Sequence, residues 1–414
     1  MKEQRCLVLT KAVGAAAAID MKKIIIMAGM LCVISNVKAQ TVDSNYQYQN
    51  IDKTEIEALY GYYMQDGKHS AVTGGQGTEE LNVQAVSLKA KHYLTPKFEL
   101  NWKAGVDVIT SASTDKIDYV LTSASRVDRR IFADLNFSIH TKNKSFITLG
   151  SGVSAESDYL SIPARINYRS PETTNGSQWN LSLDVAFDDL RWGRFNPDFY
   201  APVRLVYPIE LRSTDWFKKY RRQSYNLMSS YSLVLSKKSQ LALFAGMSLQ
   251  EGLLSTPFHR IYLTNGNTVI EKLPSQRIKI PLAMQLNSFI SSQFILKQNI
   301  GLYKDNFDIH ALSLEEELSL KANRNMYVSI FSRAYTQTAS TYFKKKGEHQ
   351  ANVSYYTSDF DLSKFTSLNT GLELFIHPLS AGKIKVIKGI GIRASYYQRS
   401  DGLWAINGSL LVKL

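Results

Sequence analysis

The side chains best placed to do chemistry in this sequence are carboxylates beside turn-forming stretches. Asp66, Glu79, Asp107, Asp115, Asp118, Asp128, Glu156, Asp158, Asp188, Asp359 and Asp361 all sit in or next to segments rich in Ser, Gly and Asn. If those segments share one end of the fold, the acids offer oxygen ligands for a hard cation such as Ca²⁺, or line a cation-selective mouth. Asp66, Glu79, Asp115, Asp128, Asp158, Asp359 and Asp361 are the candidate metal ligands. Their spacing matches no Ca²⁺-loop pattern, and Asp, Ser and Gly also make hydrogen-bonded turns, so a self-bonded loop plug is the competing reading. His69, His259 and His349 fall in three separate turn-rich segments. Converging with an Asp, they would form a transition-metal site or a general base; otherwise each serves its own loop. Gly74-Gly75-Gln76-Gly77-Thr78 is glycine-rich, but no Lys and no helix follow it, so it reads as turn-making rather than a phosphate cradle. Neither a Gly-x-Ser-x-Gly elbow nor a His-Glu-x-x-His pair occurs, and no catalytic constellation marks the chain as an enzyme.

A second cluster is cationic. Trp216-Phe217-Lys218-Lys219-Tyr220-Arg221-Arg222 interleaves aromatics with four cations, and Lys344-Lys345-Lys346 adds a basic tip. In a soluble protein such a run would stack on nucleic acid. An exported chain meets anionic lipid instead. Lys218, Lys219, Arg221 and Arg222 are therefore the candidates for contact with lipopolysaccharide phosphates, and nucleic acid is not an expected partner.

Export is written at the N-terminus. Met21-Lys22-Lys23 is a positive n-region, Ile24 to Ser35 is apolar, and Val37-Lys38-Ala39 is a cleavage site. Residues 1–20 read as an upstream extension, 21–39 as the signal peptide, 40–54 as a periplasmic lead-in and 55–414 as the folded body. The removed part holds both cysteines, Cys6 and Cys32, so the mature chain has no disulfide and no thiolate metal site. The remainder carries a net charge of +9, from 43 Lys/Arg and 34 Asp/Glu.

The elements that must position these residues are strands. Phe98, Leu100, Trp102, Ala104, Val106 and Val108 alternate with Glu99, Asn101, Lys103, Gly105 and Asp107, and the same period recurs around Leu135, Leu183 and Leu243. Short turns such as Thr95-Pro96 and Ser236 to Gln240 alternate with long segments such as Asp66 to Glu79, Asp189 to Arg222 and Ala339 to Thr366. No apolar run after residue 40 is long enough for a membrane helix. The pattern predicts an all-β, transmembrane, antiparallel up-and-down barrel of about 16 strands (range 14–18), with short periplasmic turns and long outer loops. Trp404, Ile406, Gly408, Leu410, Val412 and Leu414 alternate to the last residue, as in a C-terminal strand read by the barrel-assembly machinery, although an aromatic residue is usual at that end. Tyr60, Tyr62, Tyr93, Tyr225 and Tyr327 fit aromatic girdles. One strand resists the pattern: Glu316 falls on the lipid-facing row, where an acid is unfavourable, and a bulge that shifts the register is favoured over a neighbour such as Arg333 or a second subunit.

Several long motifs resemble an uncharacterised family of Gram-negative outer-membrane barrels known as a domain of unknown function (the 3570 type). They include Tyr63-Met64-Gln65-Asp66-Gly67, Ser70 to Glu79, Ser111 to Asp115, and Ser123-Ala124-Ser125 with Asp128 and Arg129. Tyr207 to Leu211, Ser255 to Arg260, Leu273-Pro274 with Arg277, Tyr335-Thr336-Gln337, Tyr342-Phe343 and Tyr356 to Ser363 continue the likeness, which runs from about Glu55 to the C-terminus. The resemblance implies a barrel without an established activity. Its members are often encoded near a flavin transferase and a thioredoxin-like protein, which points to a periplasmic redox partner. The expected function is a pore or conduit for a small solute, or a sheath for such a partner. A loop-plugged binding or structural barrel is the alternative, and a barrel-borne hydrolase a distant third. No cofactor is expected.

Overall fold

The computed structural model describes residues 54–111, 127–156, 159–190, 220–256, 259–377 and 387–414. The extension, the signal peptide and residues 40–53 of the lead-in lie outside them. Alternation of apolar and polar side chains makes every long segment a strand. These are β1 (Thr54–Asp66), β2 (Leu81–Thr95), β3 (Phe98–Ser111), β4 (Val127–His140), β5 (Phe146–Ala155), β6 (Leu160–Arg169), β7 (Gln178–Asp189), β8 (Arg221–Ser236) and β9 (Ser239–Gly252). Two short strands, β10 (Arg260–Tyr262) and β11 (Thr268–Ile270), follow within a loop. The series resumes with β12 (Gln276–Phe289), β13 (Phe294–Asp305), β14 (His310–Asn323), β15 (Met326–Gln337), β16 (Phe365–Ile376), β17 (Gly389–Arg399) and β18 (Trp404–Lys413).

Sixteen of them form one closed antiparallel barrel in which each strand pairs with its neighbours in sequence, and β1 closes on β18. Closure leaves no backbone edge unpaired, the condition for a sheet to sit in hydrocarbon. The seam runs unbroken from Glu57↔Lys413 to Asp66↔Trp404. Register shifts fall between Tyr93 and Thr95, Val234 and Ser236, and Lys321 and Asn323. All three lie beside tight turns at the end that bears both termini, so the long runs keep their alternation. The opposite end carries the long loops and is called the outer end below.

The two faces of the sheet differ as the pattern predicts. Ile131, Leu135, Ile162, Ile166, Met247 and Leu302 are among the many large apolar side chains left exposed on the outside. A belt of that extent is tolerable only against lipid. The inner rows carry the charges. No described helix is long and apolar enough to cross a membrane, which says nothing about crossing by strands.

Two sequence expectations are corrected here. No bulge rescues Glu316: β14 runs in register from Ala311↔Gln337 through Glu316↔Ser332 to Lys321↔Tyr327. The carboxylate stays on the outward row and meets the Gln298 side chain of β13, whose Nε2 donates to Glu316 Oε1 at 3.0 Å. Arg333 is not its partner, because it pairs in register with Glu315 on the inner row. The girdle is also smaller than expected. Tyr60, Tyr62 and Tyr225 face outward, but Tyr327 faces the lumen and stacks on Phe375 at 5.1 Å. Tyr93 also lies inside, beneath the Lys91 ammonium.

Candidate functional site

Three loops at the outer end fold onto one another. They are 67–80 between β1 and β2, 253–275 with its β10–β11 hairpin, and 338–364 between β15 and β16. The joins are largely backbone: Lys272 and Tyr356 exchange two hydrogen bonds, Thr264 N–H donates to His349 O, and Gly347 N–H donates to Tyr262 O. Around these joins lies a small core of its own, containing Ile261, Leu263, His349, Thr357, Ser358, Phe360 and Leu362, all buried. Phe307, from the short loop between β13 and β14, packs edge-on against Tyr342 and under the Arg277 guanidinium. The assembly is tied to the rim where Gln337 Nε2 donates to Asp361 O and Ser363 O, and where Arg399 of β17 pairs with Asp361 and Asp401.

The glycine-rich segment is explained by close approach. Gly74 and Gly75 have φ of +78° and +84°. A Cβ on Gly75 would stand 2.8 Å from both the Phe360 ring and the Ser358 carbonyl oxygen. On the same loop, the His69 ring stacks on Phe360 at 3.8 Å. The segment is a turn that lets two loops touch.

The histidines do not converge. His69 lies on Phe360, and His349 is buried with its Nε2 bonded to Thr357 O at 2.9 Å. Burial keeps His349 below its ordinary value and so neutral. His259 alone finds acids: its Nδ1 is 3.3 Å from Glu271 Oε1, and ligand atoms of His259, Glu271 and Asp359 lie within 4.8 Å of one another. One His and two carboxylates would suit a divalent first-row ion. The carboxylate of Glu271 is already engaged, however. Its Oε1 accepts the Thr357 hydroxyl at 2.5 Å and its Oε2 accepts Thr256 N–H at 2.6 Å. The cluster therefore works as a tie between loops 253–275 and 338–364, with His259 bonded to Glu271. Burial opposes charge on His259, but the bond to Glu271 outweighs it and the imidazole is held above its ordinary value. Burial pushes the Asp359 carboxyl up to about 6 despite the pull of His259.

The other candidate acids are spoken for locally. Asp66 Oδ1 accepts Gly67 N–H at 2.7 Å and the Thr78 hydroxyl at 2.9 Å, while Glu79 Oε2 accepts His69 N–H at 3.0 Å. Asp128 accepts the N–H of Arg129 at 2.7 Å. Asp361 takes Arg399. Asp359 reaches the His259 cluster, and its side chain also accepts Asp361 N–H at 2.9 Å. No single cation cradle gathers them among the described residues, and Asp115 and Asp158 lie outside those residues. Of the cationic run, Lys218 and Lys219 also lie outside. Arg221 is exposed on the outward row at the outer end of β8. Arg222 is not available to a lipid phosphate: it points inward and its Nε donates to Asp188 Oδ2 at 2.8 Å.

Sequence reasoning missed the circuit to which that pair belongs. Neighbouring strands place opposite charges side by side on the lumen wall, where cross-strand partners meet. Glu57 bridges Lys89 of β2 at 3.3 Å and, across the seam, Lys413 of β18 at 3.2 Å. Arg130 reaches Asp107, Arg165 reaches Asp184 and Arg277 reaches Asp305, at 3.4, 2.6 and 2.5 Å. Lys297–Glu317 and Arg393–Glu373, both at 2.7 Å, border a recess of 700 Å³ near the end bearing the termini. The signal was the charges on the polar rows, but the pairs form only once register is known.

The fold and its loop-covered mouth are those of an outer-membrane type of β-barrel. The chain belongs to the family described as "Protein of unknown function (DUF3570)", whose model matches residues 121–411. The motifs before residue 121 lie outside that match. No curated protein matches the chain. Solved structures with a similar fold include a siderophore receptor, PirA, from Pseudomonas aeruginosa (9% identity, 89% of this chain and 81% of the other, TM-score 0.41). A bacterial polysaccharide outer membrane secretin (9%, 88% and 100%, 0.44) and the outer membrane protein OprD from Pseudomonas aeruginosa (11%, 88% and 94%, 0.40) are others.

Proposed function

We propose that the chain is an outer-membrane pore that passes a small polar solute through a charged lumen, with its mouth narrowed by the three-loop assembly. The carrying observation is the inner wall. Its ion pairs run round most of the circuit, and many of their members remain partly exposed: in Arg165–Asp184 the side chains keep 37% and 36% of their surface. Charges packed into a dry core would be buried as well as paired. Sixteen strands also leave room for water inside. Arg221, outward at the outer end, is the remaining described member of the cationic run suited to lipopolysaccharide phosphates.

Purified full-length protein in a planar bilayer should give stable, stepwise currents. A folded barrel that stays silent would overturn this reading. The loop assembly favours a second one, a barrel closed by its own loops. Replacing residues 339–363 with a short Gly/Ser turn separates the two. A pore raises an existing current, whereas a plugged barrel goes from silence to conduction.

A further inference from the structure

The outward face of the barrel breaks its own rule in one place. Gln298, Glu316, Ser332 and Thr370 are register partners on β13, β14, β15 and β16, and all four point away from the lumen. Glu316 stands near the middle of its strand. The rows on either side are apolar: Ile300, Leu314, Ala334 and Leu368 toward the outer end, then Leu296, Leu318, Ile330 and Leu372 toward the other. Among the described residues, every other Asp, Glu, Lys, Arg or His on the outward rows lies near a strand end. Across β3–β7 the same belt presents Trp102, Leu135, Leu149, Ile166 and Leu183.

The four side chains satisfy one another only in part. Gln298 Nε2 donates to Glu316 Oε1 at 3.0 Å, and the Ser332 and Thr370 hydroxyls share one bond at 3.2 Å. The amide has a second hydrogen, one hydroxyl has a free proton, and the carboxylate has a second oxygen. Lipid tails supply neither donors nor acceptors. Head groups are no remedy either, because they lie about 12 Å away, half the height of the roughly 25 Å apolar band and beyond a glutamate's reach.

We infer that the outward face of β13–β16 is an interface for a second copy of this chain, centred on the Gln298–Glu316–Ser332–Thr370 row. The argument for self-association is complementarity combined with symmetry. Two copies inserted in the same direction that meet through the same face are related by a two-fold axis along the membrane normal, which sets the row of one against the row of the other at the same depth. The row contains both an acceptor and donors, so it complements itself. Gln298 of the second copy and its hydroxyls can reach Glu316, and the apolar rows above and below seal the contact from lipid.

The test uses the full chain with Cys6→Ser and Cys32→Ser, carrying either Ser332→Cys or, on the far wall, Ile166→Cys. In native membranes with a mild oxidant, S332C should form a disulfide-linked species of twice the chain mass, and I166C at least tenfold less of it. Equal yields at the two positions, no product at S332C, or a product of another mass at S332C would overturn the inference. The variant Glu316→Leu supplies a second readout. It should keep the unheated gel mobility of the folded barrel and lower the S332C cross-link at least fivefold. Unchanged cross-linking in that folded variant would also overturn it. Neither result depends on whether the lumen conducts.

Discussion

At the scale of the residue, alternation told which face a side chain takes but not what it touches there. Glu316 is the clearest case. Its outward position was legible from Leu312, Leu314 and Leu318, yet its partner Gln298 belongs to another strand, and no local pattern links the two. Arg222 failed for the same reason, because Asp188 faces it only after β7 and β8 pair. Gly75 went the other way: a turn residue was expected, and the structure adds why nothing larger fits. Gly75→Ala would force a left-handed residue, at about 1–2 kcal/mol, and set its Cβ against the unyielding Ser358 carbonyl. The expected outcome is a local opening, with proteolysis within 340–363 faster by roughly tenfold and the barrel itself intact. Unchanged cleavage would mean that the Phe360 contact does not hold the loop.

Among the elements, the long strands and their turns were readable because a period of two persists over ten or more residues. The β10–β11 hairpin was not, since three-residue strands carry too little period to stand out from a loop. The loop assembly was invisible for a further reason. Its core is made of residues such as Thr357, Ser358 and His349, whose burial depends on segments far apart in sequence. That assembly should respond to pH. His259 is held above its ordinary value, so its contribution is complete below about pH 6.5 and is lost as pH rises through the raised value. Asp359 and His349 act mostly at lower pH. The first favours the folded loops as pH falls through about 6, and the second opposes them once it is forced to charge. Hydrogen exchange of amides in 259–272 and 340–363, corrected for intrinsic rates, should therefore quicken from pH 7 to 9. His259→Gln should abolish that dependence. A wild-type profile flat over this range would remove His259 from the tie.

For the whole molecule, strand number, closure and the placing of both termini at one end followed from counting turns, because a sheet in lipid has few ways to hide its edges. The expected consequence is a shift on unboiled detergent gels, the folded barrel migrating apart from the heated chain. Identical mobilities would contradict the closed circuit. Closure also bears on the order of events in folding. Every pairing but one joins strands that follow each other closely round the barrel, bridging short to moderate spans. The exception joins Glu57 to Lys413, residues roughly 350 apart in sequence, and the loop-closure entropy grows only logarithmically with that span. The seam is thus cheap to hold but slow to find, since fifteen pairings must bring its two edges into reach before any of its own bonds can form. Until then β1 and β18 are open edges, ready to pair with whatever strand is nearest, and the growing sheet is at its most vulnerable just before the last ladder zips.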